Sequence, residues 1–66
     1  MSRISFIAFC IEKYADYKSI PSNEAYKLFA EKGVLDMLKT DYEILHGFGF
    51  EYIIRDIESF LGGANA

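Results

Sequence analysis

His46 is the only histidine of the chain and Cys10 the only cysteine. With the carboxylates and tyrosines, they are all that the sequence offers toward acid–base or nucleophilic chemistry. His46 is a general-base candidate near neutral pH. Tyr42 precedes it by one helical turn, and Asp41 lies beside Tyr42. Tyr52 and Asp56, spaced i,i+4 further along, would complete a small hydrolase or transferase site with it. Nucleophilic catalysis needs a nucleophile with an orienting partner, and none is visible. Asp41, Tyr42, His46, Tyr52 and Asp56 are therefore read as a structural polar cluster. In it His46 caps carbonyls at a helix C-terminus, and Asp56 hydrogen-bonds at the edge of an apolar stripe.

Cys10 sits in Ile4-Ser5-Phe6-Ile7-Ala8-Phe9-Cys10-Ile11, where seven of eight residues are apolar. A thiolate is disfavoured on such a face, so a reduced, buried thiol is expected. A single cysteine excludes a disulfide within the chain. One Cys and one His cannot supply the four ligands of a structural zinc. Gly47-x-Gly49 resembles a fragment of a phosphate loop, but a real one follows a strand and carries further glycines. Both flanks here read as helical. The sequence thus assigns no catalytic residue, no metal and no cofactor, and reads as that of a non-enzymatic protein.

The elements that must position these residues are helices. The expected fold class is all-α, a compact bundle of four to five short helices. No Gly or Pro interrupts residues 2–18, which read as the first helix. At about 100° per residue, Ile4, Ile7, Ala8, Ile11, Tyr14 and Ala15 form its core stripe. Phe6, Cys10 and Tyr17 widen that stripe, and Phe9 lies outside it among Ser5, Glu12 and Asp16. Pro21 opens a second helix that runs to about Lys32 and buries Ala25, Leu28 and Phe29. Gly33 closes it as a left-handed cap. On one continuous helix over 34–46, Asp41 would fall in the stripe of Val34, Leu38 and Leu45, and burying an unpaired carboxylate is costly. Thr40-Asp41-Tyr42-Glu43 has the form of a capping box, which predicts two helices, 34–39 and 41–46. The last helix, 49–61, turns Phe50, Ile53, Ile54, Ile57, Phe60 and Leu61 inward. On its outer side Glu51 and Arg55 form a favourable i,i+4 pair. Residues 1–61 make a single domain, and 62–66 a flexible tail begun by Gly62-Gly63.

A 66-residue core rarely supplies more than about 3–5 kcal/mol, and self-association is one common supplement. Five Tyr and six Phe exceed what so small a core hides. Aromatics are enriched at interface cores, so Phe9 and Phe48 are expected to contact a protein partner, with Phe6 and Tyr17 beside them. A homodimer whose first helices pair is the alternative. Residues 1–33 carry five Lys/Arg and four Asp/Glu, net +1; residues 34–66 carry two and six, net −4. This balance fits an ordinary solvated surface first and is compatible with a basic protein partner, and it argues against nucleic acid, which needs a basic face. A DNA-binding helix-turn-helix is correspondingly disfavoured, with few cations for phosphate contacts. Arg3 and its apolar run do not read as a signal peptide, since no small-residue cleavage site follows. Eight residues cannot span a bilayer. The expected location is cytoplasmic, with no membrane partner.

The ordered set Ile4-Ser5-Phe6, Phe9-Cys10-Ile11-Glu12-Lys13-Tyr14, Glu24-Ala25-Tyr26, Leu28-Phe29 and Gly33-Val34-Leu35-Asp36 resembles a small bacterial domain-of-unknown-function family, family 3791. Tyr42, Leu45-His46, Gly49, Tyr52-Ile53 and Asp56-Ile57 continue the pattern, although Gly47 stands where a polar residue would follow His46. The resemblance implies no activity. It does imply genes that often neighbour an ADP-ribosyltransferase-like family, in an arrangement similar to a toxin–antitoxin or toxin–immunity pair.

Overall fold

The structure, a computed structural model, describes residues 2–63. All regular structure among them is helical: α1 Arg3–Lys18, α2 Ser22–Lys32, α3 Val34–Thr40, α4 Tyr42–Leu45 and α5 Phe50–Gly63. The fold is a small all-α bundle about 27 × 26 × 20 Å across.

The helix ends follow from local chemistry. The Ser2 hydroxyl accepts the Ser5 N–H at 3.1 Å and caps α1. At the other end Ser19 adopts φ 57°, its N–H bonds the Asp16 carbonyl and the Ile20 N–H bonds that of Ala15, which is a Schellman closure. Gly33 stands at φ 80° and donates its N–H to the Phe29 carbonyl, so a single residue joins α2 to α3. A Cβ there would meet nothing nearer than the Phe60 ring at 3.9 Å. Glycine is required by the left-handed backbone, not by lack of space.

The break between α3 and α4 falls where the buried-carboxylate argument places it, but not by a capping box. Thr40 ends α3, and Asp41 lies between the helices at φ −95°, ψ 11°, with no side-chain capping bond. Its N–H still bonds the Met37 carbonyl at 2.9 Å. The bridge-region backbone alone turns the chain. Val34, Leu38, Tyr42 and Leu45 enter the core while Asp41 stays half-buried.

The core joins Phe6, Cys10, Tyr14 and Ala15 of α1 to Ala25 and Phe29, Val34 and Leu38, Tyr42 and Leu45, and Ile53, Ile54 and Ile57 of α5. Phe6 meets Tyr42 edge-on at 5.3 Å, and Tyr14 packs on Phe29 at 5.2 Å. These two contacts decide which way α1 faces. Its buried centre is the i,i+4,i+8 line Phe6–Cys10–Tyr14 with Ala15; of the expected stripe Tyr14 and Ala15 are buried, Ile7 and Ile11 pack partly buried against the core, and Ile4, 81% exposed, and Ala8 lie outside it. Rings bury more area than aliphatic chains and find ring partners on α2 and α4. The last helix is also longer than expected. It passes through Gly62 to Gly63, while Ala64–Ala66 of the expected tail lie outside the described residues. No helix among the described residues is long and apolar enough to cross a membrane.

Candidate interaction surface

Of the five residues of the expected polar cluster, Tyr42 and His46 form one local pair and Tyr52 and Asp56 another. Tyr42 and His46 stack at 4.6 Å and 15°, with His46 Nδ1 2.7 Å from the Tyr42 carbonyl one turn earlier. That carbonyl belongs to the first residue of α4 and also accepts the His46 backbone N–H at 2.9 Å, so with Nδ1 as the donor the ring adds a second bond to the same oxygen. The Arg3 guanidinium lies 5.0 Å from the Tyr42 ring centre and pairs with Glu43 at 3.4 Å. Tyr52 and Asp56 lie elsewhere, lining a shallow cleft on the outer face of α5 with Arg55 and Ser59. His46 does not line that cleft. Among the described residues, no three His, Cys, Asp or Glu side chains are grouped so as to hold a metal ion.

Cys10 is free and completely buried. Desolvation pushes its thiol from 9.0 up to about 12, which leaves almost no thiolate near neutral pH. One charged contact crosses from α1 to α5. The Tyr14 hydroxyl donates to the Glu58 carboxylate at 3.3 Å, and Lys18 Nζ stands 3.1 Å from the same oxygen. Burial first, and then the Glu58 charge, push the Tyr14 hydroxyl up; the bond to Glu58 raises Lys18.

The prominent surface is aromatic. Phe9 is only partly covered, its ring edge-on to Phe50 at 5.5 Å and 81°, with Lys13 Nζ 5.7 Å from its centre. Two turns later on the same face of α1, Tyr17 is 59% exposed and shares a cleft of about 230 Å³ with Glu51, Ile54 and Arg55 of α5. Across α5, Phe48 stacks on Tyr52 at 4.3 Å and 21°, and both rings are about half exposed. Phe9, Tyr17 and Phe48 are thus accessible, as a partner contact requires. Phe6 is not: it is 2% exposed and held in the core by Tyr42, so it is removed from the contact set. Tyr52, half exposed and stacked on Phe48, is an accessible ring that the sequence placed only in the polar cluster; Phe48 precedes α5, so helical spacing gave no signal for their contact.

The chain belongs to the family described as protein of unknown function (DUF3791), whose sequence profile matches residues 5–62. No curated protein and no solved structure matches the chain.

Proposed function

We propose that this protein is a non-enzymatic protein-interaction module that works through the aromatic surface of α1 and α5. One observation carries the reading: six of the eleven aromatic rings, those of Phe9, Tyr17, Tyr26, Phe48, Tyr52 and Phe60, remain exposed. Phe and Tyr at the centre of a contact supply most of its energy by leaving water, while charged groups serve the rim. Lys13, Glu51 and Arg55 border Phe9, Tyr17 and Tyr52 in that way.

The finer reading is a bacterial, cytoplasmic, antitoxin-like or immunity-like protein whose partner is a toxin-like enzyme of the ADP-ribosyltransferase kind. It is supported by the family resemblance and by the acidic second half, which suits a basic partner. Co-expression with the enzyme encoded beside it tests both levels. Capture of that enzyme and relief of its toxicity are expected, with both weakened by Phe9→Ala and Tyr17→Ala. A wild-type protein that neither binds nor relieves toxicity refutes the antitoxin-like role. Unchanged capture by both variants refutes the surface.

A further inference from the structure

Resting on that interaction reading, we infer that Glu58 of α5 is a positioning residue of the docking surface, holding the Tyr17 ring in one orientation before a partner arrives. Tyr17 is 59% exposed, and its hydroxyl has no hydrogen-bond partner among the described residues. Two groups neighbour its ring. The Tyr14 ring lies 6.4 Å away between centres, tilted by 45°, and Lys18 Nζ lies 5.8 Å from the Tyr17 ring centre. Both are tied to one atom: Glu58 Oε1 accepts the Tyr14 hydroxyl at 3.3 Å and pairs with Lys18 Nζ at 3.1 Å. A single carboxylate oxygen from α5 thus fixes both neighbours of a docking ring on α1.

The spacing makes this possible. Tyr14, Tyr17 and Lys18 stand at i, i+3 and i+4 of α1, so they are neighbours on its surface, and one acceptor reaches the first and the last together. Tyr14 is buried against Phe29, which gives Glu58 a fixed point to bond. Lys18 is the movable member, a charge on a flexible four-carbon stem. With Glu58 holding it, its ammonium stays within reach of the negative face of the Tyr17 ring. Glu58 does not itself line the cleft of Tyr17, Glu51, Ile54 and Arg55, so its effect on docking passes through Tyr17. A ring already in its docking orientation loses less freedom on contact, and for one side chain that is worth up to about tenfold in affinity.

The three-bond Hα–Hβ couplings of Tyr17, measured by NMR on the full chain, test the inference. In a helix one fixed rotamer gives one large and one small coupling, and exchange between rotamers gives two intermediate ones. The wild type is expected to show the first pattern. Glu58→Gln and Lys18→Met should move Tyr17 to the second, while Lys18→Arg, which keeps the cation, should retain the first. Phe9, whose neighbours are Phe50 and Lys13, should keep its couplings in every variant. Capture of the neighbouring enzyme by Glu58→Gln should weaken about threefold, less than the full effect because the Lys18–Glu58 pair is partly exposed. Averaged Tyr17 couplings in the wild type overturn the inference, as do unchanged couplings in Glu58→Gln or its capture at wild-type strength. A change at Phe9 as large as that at Tyr17 would mean general loosening and overturns it too. The couplings are read on the free protein, so their outcome is separate from whether the wild type captures the enzyme at all.

Discussion

Alkaline pH should destabilise this protein through Cys10, by an amount that follows from its burial. The folded thiol is held at about 12 against an ordinary 9.0, because ionisation would place a charge in the core between α1 and its neighbours. The unfolded chain therefore loses this proton first. Between 9.0 and about 12 the folded state binds more protons than the unfolded one, so stability falls as pH rises. The slope approaches that of one proton per molecule, so the loss is on the order of 1 kcal/mol at about pH 10 and on the order of 2–3 kcal/mol at about pH 11. A domain of this size has only about 3–5 kcal/mol to lose. Tyr14, raised chiefly by burial, acts in the same direction above its ordinary 10.0. Lys18, raised by Glu58, contributes stability that is full below 10.5 and lost as pH rises through its folded value, a small term for an exposed group. The control is Cys10→Ala, which costs about 1 kcal/mol of packing at neutral pH but carries no thiol to ionise. Urea midpoints of both proteins, taken under reducing conditions from about pH 7 to about pH 10, isolate the thiol contribution. The wild-type advantage should vanish by about pH 10, and two curves that fall in parallel would refute the reasoning. Alkylation by iodoacetamide at about pH 8 gives a second reading: the thiolate fraction should lie about a thousandfold below that of the unfolded chain.

Three further substitutions probe the packing. Phe6→Ala should cost about 3–5 kcal/mol and leave the domain largely unfolded in urea-free buffer, while Ile4→Ala should change stability by no more than about 0.5 kcal/mol. The reverse ranking by circular dichroism would show that α1 faces the other way. Gly33→Ala should cost about 1 kcal/mol through its left-handed backbone alone, and Gly33→Asn clearly less, because the 3.9 Å clearance to Phe60 admits a side chain. Tyr14→Phe removes the hydroxyl from Glu58 while leaving Lys18 in place, so it should cost about 0.5–1.5 kcal/mol and flatten the alkaline limb above pH 10.0.

The helix boundaries that rest on backbone chemistry were legible in the residues themselves. Pro21 before α2, Gly33 after it and the interruption at Asp41 needed only rules that act within a few positions. The direction in which α1 faces was not legible. Its wheel offers a stripe through Ile4, Ile7, Ala8, Ile11, Tyr14 and Ala15 and, beside it, a line through Phe6 and Cys10 that meets the stripe at Tyr14. The choice between them is made by Tyr42, 36 positions from its partner Phe6, and Phe29, 15 positions from its partner Tyr14. The ring contacts of the expected polar cluster are local: His46 stacks on Tyr42 and Tyr52 on Phe48, each within one or two turns of its own residue.

The aromatic surplus is better understood as a gradient than as a set of isolated exposed rings. At the centre, Phe6–Tyr42 and Tyr14–Phe29 are buried pairs that join different helices. Next to them Phe9–Phe50 joins α1 to α5 by the same edge-on contact, half open to solvent. Outermost, Phe48–Tyr52 is a stacked pair with each ring about half exposed. Extensive interfaces between protein chains resemble a domain core cut in two, with rings and apolar side chains continuing outward from the packed interior. A small chain whose core is limited by its surface-to-volume ratio gains by extending that core into a second molecule. Phe50 links the two layers, because it packs against the core and meets the half-open Phe9 edge-on. Phe50→Leu keeps the apolar volume near the core and removes the edge-on support of Phe9, so it should cost less than about 1.5 kcal/mol of stability. Partner capture should nonetheless fall as far as it does with Phe9→Ala. Capture that survives Phe50→Leu but not Phe9→Ala would mean that Phe9 acts alone, and that the surface is not an extension of the core.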